Sequence, residues 1–62
     1  MSENMTLAFR VKEIRNKTGL SQKRFAEEYE IPKRTLESWE SGERVPPAYV
    51  VSLLEKVVDF TK

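Results

Sequence analysis

The chain has 62 residues and a net charge of +1, with 39% hydrophobic and 34% charged residues. A chain of this length folds as a single domain and buries roughly 60% of the surface that its unfolded form exposes, so we expect one thin core and no deep pocket. It contains no cysteine and no histidine. This excludes disulfides, cysteine-based metal sites and catalysis by either side chain.

The sequence also carries no sign of a membrane span or an export signal. No apolar run approaches the roughly 20 residues that a membrane-spanning helix needs. The first residues lack the basic-then-apolar order of a signal peptide. We therefore expect a cytoplasmic protein with no membrane contact, no cofactor, no metal and no enzymatic activity.

The first predicted helix covers about residues 7–17. Residues 1–5 have no periodicity and predict a flexible tail before a domain of residues 6–62. Thr6 is an N-cap candidate, and Gly19 is a plausible end signal. The residues at spacings of three and four that form one side of this helix are Leu7, Val11, Ile14 and Thr18.

Two short helices follow, with a turn of three or four residues between them. Ser21 can cap the second helix, at about 22–29, and Pro32 fits the first turn of the third, at about 33–41, which Gly42 ends. The residues that these helices turn inward are Phe25, Ala26, Tyr29, Leu36 and Trp39. Two short helices joined in this way suggest a helix-turn-helix.

The outward side of the third helix carries charged and hydroxyl side chains. At 100° per residue, the residues that share this side are Lys33, Arg34, Glu37, Ser38 and Ser41. Such a surface can enter a major groove and meet base edges. The alternative is an ordinary solvated helix face, and the pattern alone leaves both open.

The fourth helix, at about 47–60, is more apolar than one core requires. Its apolar residues span about 200° of the circumference, whereas about 100° covers a core. We therefore expect a homodimer through this helix, with an interface formed by Val51, Leu54, Val58 and Phe60. The alternative is a monomer whose fourth helix folds over the first, where Phe9 is either part of the contact or simply exposed.

From Leu7 to about Val57 the sequence resembles the lambda-repressor and Cro-like helix-turn-helix family, also called the xenobiotic-response-element (XRE) family. The segments that carry the resemblance are 19–22, Phe25-Ala26, 31–42, Arg44 and Pro46. The family fold is all-α, a compact domain with its helix-turn-helix at helices 2 and 3. Members commonly add a fifth helix, which we expect to be missing here because the sequence ends at Lys62.

The resemblance also implies roles for individual residues. The positions that match base-contacting residues are Lys33, Arg34, Glu37 and Ser38. Those that match or lie near phosphate-contacting residues are Gln22, Lys23, Arg24, Ser41 and Arg44. Lys23 and Arg24 are open to a second interpretation, as solvated cations without a DNA contact.

Three further positions are structural in this family. The positions of Arg15 and Glu40 form a partly buried ion pair between helix 1 and the recognition helix. Ala26 lies where the two helices of the motif cross, so a small side chain is needed there. Glu30 departs from the family pattern, because members usually have glycine at this left-handed turn position.

The sequence thus predicts a sequence-specific binder of double-stranded DNA that acts as a small transcriptional regulator, of the repressor type, from a bacterium or a mobile element. A dimer would place two recognition helices roughly 34 Å apart on a pseudopalindromic site. The alternative is a protein-interaction module, such as an antitoxin or a regulatory subunit, that binds a protein partner through the apolar surface of helix 4.

Overall fold

Four α-helices and the turns between them make up the fold. A computed structural model describes the backbone of residues 3–61 and the side chains of residues 6–60. The helices are α1 (Glu3–Thr18), α2 (Gln22–Glu28), α3 (Lys33–Ser41) and α4 (Ala48–Thr61). No strand occurs in this part of the chain, and none of its helices is long and apolar enough to cross a membrane. The predicted all-α, four-helix architecture is confirmed.

The predicted boundaries of α2, α3 and α4 agree with the structure to within one residue. Ser21 caps α2, because its hydroxyl oxygen accepts a hydrogen bond from the backbone N–H of Arg24 at 3.2 Å. Gly42 ends α3 in the left-handed conformation, with φ at 84°. Local cap and stop signals therefore fix both ends of the helix-turn-helix.

The start of α1 was predicted wrongly. The helix begins at Glu3, so Thr6 lies within it and is not its N-cap, and residues 3–5 of the expected tail are helical. Residues 1 and 2 of that tail lie outside the described residues. No glycine or proline separates Glu3 from Thr6, so nothing in the sequence stops the helix from extending toward the N-terminus.

The turn between α2 and α3 contains the one non-glycine residue with a positive φ in the described part of the chain, Glu30, at 56°. The turn is closed by the backbone N–H of Ile31, which donates to the carbonyl of the buried Ala26 at 2.9 Å. A non-glycine residue in this region costs about 1 kcal/mol. The chain accepts that cost, and Pro32 then leads directly into α3.

The core lies between α1 and the other three helices. Its buried residues are Leu7, Val11, Ile14, Phe25, Ala26, Leu36, Val51, Leu54 and Val58. Helix α1 packs against both α3 and α4, while α2 packs mainly against α3. Trp39, predicted to be a core residue, packs against this cluster but is only partly buried. The side of α3 that faces away from the core is therefore exposed to solvent.

The predicted interface on α4 requires a correction. Val51, Leu54 and Val58 are buried in the core of their own chain, so they are not available to a second copy. The apolar residues that α4 leaves in solvent are Tyr49 (70% exposed), Leu53 (55%), Val57 (44%) and Phe60 (90%). Only Phe60 of the predicted set is among them. An apolar arc of about 200° can turn either half inward, and contact with α1 selects the half that contains Val51.

Two ion pairs join α1 to α4 at the surface. The Arg10 guanidinium approaches the Glu55 carboxylate at 2.8 Å, and Lys17 Nζ lies 3.6 Å from the Asp59 carboxylate. The hydrogen bond from Arg10 lowers the pKa of Glu55 below its ordinary value, and the same bond raises the pKa of Arg10. These half-exposed pairs help to orient α4 on α1 but contribute little to stability.

Candidate nucleic-acid interface

The outward side of α3 is polar and exposed. Four residues form this surface, which we call the α3 outer face: Lys33, Arg34, Glu37 and Ser41. On the inward side Leu36 is fully buried and Glu40 is 4% exposed. Because all four of its residues are exposed, the α3 outer face is open to a binding partner.

The charges of the α3 outer face are partly paired with each other. Lys33 Nζ lies 3.0 Å from a carboxylate oxygen of Glu37, one helical turn further along, and about half of each side chain is exposed. Arg34 is exposed and has no ion-pair partner among the described residues. Arg34 is therefore the free cation of α3, whereas Lys33 is held by a carboxylate.

Ser38 does not lie on the α3 outer face, contrary to the prediction. It is only 9% exposed, and its hydroxyl donates to the Glu43 carboxylate at 3.4 Å. The loop after α3 folds back along this edge of the helix, where the backbone N–H of Arg44 donates to the Ser38 carbonyl at 3.2 Å. The helical period placed Ser38 on the polar side of α3, but it gave no sign that the loop would cover this part of the helix.

An open groove runs beside Arg34, between α3 and the loop that follows it. Its lining residues are Arg34, Thr35, Ser38, Trp39, Arg44 and Val45. Arg44 is exposed and, like Arg34, has no ion-pair partner in the described part of the chain. Two free guanidinium groups beside one groove suit an anionic ligand such as a phosphate.

The first turn of α2 holds three of the predicted phosphate-contacting residues. Lys23 and Arg24 are exposed there, with no ion-pair partner among the described residues. Gln22 is half-buried, and its amide nitrogen donates to a carboxylate oxygen of Glu40 at 3.1 Å. This bond ties the start of α2 to α3.

Ser41, the last predicted member of the phosphate-contacting set, lies at the exposed end of α3. Its hydroxyl donates to the Ser38 carbonyl at 3.1 Å and accepts from the backbone N–H of Glu43 at 3.3 Å. The hydroxyl therefore holds the end of the helix, and a DNA contact would have to share it.

The predicted ion pair between α1 and α3 is present. Arg15 Nε lies 2.7 Å from one oxygen of the Glu40 carboxylate and Arg15 Nη2 lies 3.0 Å from the other, in a two-pronged arrangement. Arg15 Nη1 also donates to the Leu20 carbonyl at 3.0 Å. The bond to Glu40 raises the pKa of Arg15. With Gln22, this network connects α1, α2 and α3 behind the α3 outer face.

Sequence reasoning missed several of these contacts. The Lys33–Glu37 pair had a local signal, since opposite charges four residues apart in a helix lie next to each other. The bond from Gln22 to Glu40 joins residues 18 positions apart, and the groove depends on the path of a loop. Helical periodicity predicts neither the bond nor the groove, because both depend on contacts between separate segments.

A family model described as helix-turn-helix matches residues 11–61, most of the chain, including all of α2 and α3. No curated protein and no solved structure is significantly similar to the chain. The matched family binds DNA and regulates transcription. The lambda-repressor and Cro-like resemblance is thereby confirmed, and the chain belongs to the XRE family of helix-turn-helix DNA-binding proteins.

Proposed function

We propose that this protein binds specific sequences of double-stranded DNA by inserting α3 into the major groove, and that it acts as a small transcriptional repressor without enzymatic activity. The observation that carries the proposal is the α3 outer face, whose charged side chains are exposed while the opposite side of the helix is buried in the core. A B-form major groove is about 12 Å wide and accepts one helix.

The residues of the α3 outer face have chemistry that suits base edges. Arg34 has a planar guanidinium with two parallel donors, which match O6 and N7 of guanine. Lys33 can donate to the same acceptors once it leaves Glu37, and the Glu37 carboxylate can accept from the N4 amino group of cytosine. We assign base contacts to these three residues and not to Ser38, whose hydroxyl is occupied by Glu43.

Phosphate contacts would hold the protein in register on the duplex. Lys23 and Arg24 approach the backbone from the start of α2, where Gln22 adds the remaining donor of its amide group. Arg44 contacts a phosphate from the loop that follows α3, close in sequence to Ser41. The exposure of these cations supports the assignment, because none of them has an ion-pair partner among the described residues.

The repressor role follows from occupancy. A domain that covers a promoter hinders transcription without any further surface, which makes repression the simplest output for a DNA-binding module of this size. In a bacterial cell, or on a mobile element within one, the protein would act in the cytoplasm, where the chromosome lies.

Selection of bound sequences from a random duplex pool tests DNA binding and specificity together. We expect one recurring site, and an affinity whose logarithm falls with the logarithm of salt concentration by about 0.9 per neutralised phosphate. Arg34→Ala should weaken binding to that site by about 1–3 kcal/mol. Lys12→Ala removes an exposed cation of α1 and serves as the charge-matched control. Equal losses in the two variants would contradict major-groove insertion of α3.

Homodimerisation is the second part of the proposal. Tyr49, Leu53, Val57 and Phe60, the α4 stripe, follow one another at spacings of four, four and three, and all are exposed. Monomeric proteins seldom leave such a continuous apolar surface in water. A twofold contact between two α4 stripes would cover it and pair two recognition helices for an inverted repeat.

Sedimentation equilibrium at high micromolar concentration tests the dimer. Wild-type protein should show twice the mass of one chain, and Leu53→Glu should show the mass of one. Val45→Glu places the same charge on an exposed apolar residue outside the α4 stripe and should leave the dimer intact. A wild-type mass of one chain would overturn the dimer. If wild-type protein also binds no DNA, the α4 stripe supports the protein-interaction function instead.

A further inference from the structure

We propose that Glu37 is the main specificity-determining residue of this protein, and that it selects sites with a cytosine opposite its carboxylate while weakening attachment to all other DNA. The inference rests on the proposed insertion of α3 into the major groove. Its basis is the Glu37 carboxylate, which lies in the middle of a surface otherwise suited to DNA and pairs with Lys33 at 3.0 Å.

Glu37 is the carboxylate of α3 that faces outward. The helix has one other, Glu40, which is buried and accepts hydrogen bonds from Arg15 and Gln22. Nearly half of the Glu37 side chain remains in solvent. Any duplex that meets the α3 outer face must therefore meet this negative charge.

The carboxylate has two effects on DNA of arbitrary sequence. It is repelled by the phosphates, and it holds the Lys33 ammonium that would otherwise neutralise one of them. Arg34 is then the only cation of α3 that contributes fully to non-specific binding. In random DNA a cytosine N4 donor lies opposite the carboxylate in only a minority of registers, so on average the repulsion is not offset.

A cytosine at the facing position changes this balance. Its N4 amino group donates to the Glu37 carboxylate, and its guanine partner presents O6 and N7 acceptors nearby. Lys33 can then leave Glu37 and donate to the guanine, while the Glu37 carboxylate accepts from the cytosine, so that both charged groups keep a partner. The same residue thus disfavours wrong sites and favours one base pair, which is how specificity arises from a difference of affinities.

The variant Glu37→Gln tests both effects, with Glu13→Gln as control. Glu13 is an exposed carboxylate on α1, so both variants raise the net charge by one unit. Glu37→Gln should tighten binding to random duplex about fivefold at low salt, with a salt slope more negative by about 0.9. Glu13→Gln should change both quantities less. In a Lys33→Met background, the slope change caused by Glu37→Gln should disappear.

Selection from a random pool gives a second readout. Glutamine pairs with N6 and N7 of adenine, so one position of the recovered site should change from cytosine in the wild type to adenine in Glu37→Gln. An unchanged site, or equal tightening by Glu37→Gln and Glu13→Gln, would overturn the inference while leaving DNA binding intact. Wild-type protein that binds no duplex at any salt concentration would overturn the proposed function, and this inference with it.

Discussion

The replacement of Glu40 by alanine is the most direct test of how the helix-turn-helix is held on α1. The Glu40 side chain is 3% exposed, and its carboxylate accepts three hydrogen bonds: from Arg15 Nε at 2.7 Å, from Arg15 Nη2 at 3.0 Å and from Gln22 at 3.1 Å. Glu40→Ala removes all three. It leaves the Arg15 guanidinium beside the core with the Leu20 carbonyl as its remaining partner.

The expected loss of stability follows from these contacts. Breaking a buried ion pair by removal of one partner costs about 3–5 kcal/mol. Arg15 is 20% exposed and can still reach water, so we expect the lower end, about 3 kcal/mol. A domain of this size has a total stability of about 3–9 kcal/mol and loses about 4–8 °C in Tm per kcal/mol. Glu40→Ala should therefore lower Tm by about 12–24 °C, or unfold the protein.

Thermal and urea unfolding followed by circular dichroism measure this loss. Glu37→Ala is the matched control, since it removes an exposed glutamate from the same helix and should cost about 0.3–0.5 kcal/mol. The double variant Arg15→Met/Glu40→Leu replaces the pair by apolar side chains and should recover much of the loss. If Glu40→Ala and Glu37→Ala melt at the same temperature, the pair does not hold α3 on α1 and the reasoning is refuted.

Three further substitutions test separate parts of the fold. Glu30→Gly should leave stability unchanged or raise it by up to about 1 kcal/mol, because glycine adopts a φ of 56° without strain; a clear loss in urea unfolding would contradict this. Ala26→Leu should cost about 1–3 kcal/mol by overfilling the α2–α3 contact, whereas Ala48→Leu at an exposed position should not. Arg10 lowers the pKa of Glu55 in the folded state. The pair therefore stabilises the fold at any pH above the ordinary glutamate pKa of about 4.5, and this stabilisation is lost as the pH falls through the lowered pKa of the folded state. The difference in Tm between wild type and Glu55→Gln should therefore be largest at neutral pH and vanish in acid, and a difference that is the same at every pH would count against the pair.

Elements that depend on local chemistry were predictable from the sequence. Ser21, Pro32 and Gly42 set the limits of α2 and α3, because caps and stops act within one helical turn. The start of α1 was missed because a local cap signal is not by itself sufficient to begin a helix. Thr6 is a good N-cap in isolation, but a helix with no breaker before it continues past a candidate cap.

Contacts between distant parts of the chain were harder to predict. The periodicity of α4 shows which apolar residues share a side, but it does not show which half of a wide arc meets α1, so Val51 and Val58 were placed on the wrong surface. The same limit applies to Ser38, which the loop after α3 covers. The Arg15–Glu40 pair was reached through the family resemblance, since its members are 25 residues apart and no local rule joins them.

Within the proposed function, stability and DNA recognition depend on different residues of the same helix. Leu36 and Glu40 hold α3 in place from its inward side, while Arg34 and Glu37 lie outside the core and can change without loss of the fold. Gln22 is the point where the two requirements meet, because its amide lies in the proposed DNA contact and also bonds to Glu40. Glu40 therefore does more than pair with Arg15. Its hydrogen bond with Gln22 also holds the start of α2 against the proposed recognition helix, and so helps to set the register in which both can meet one duplex.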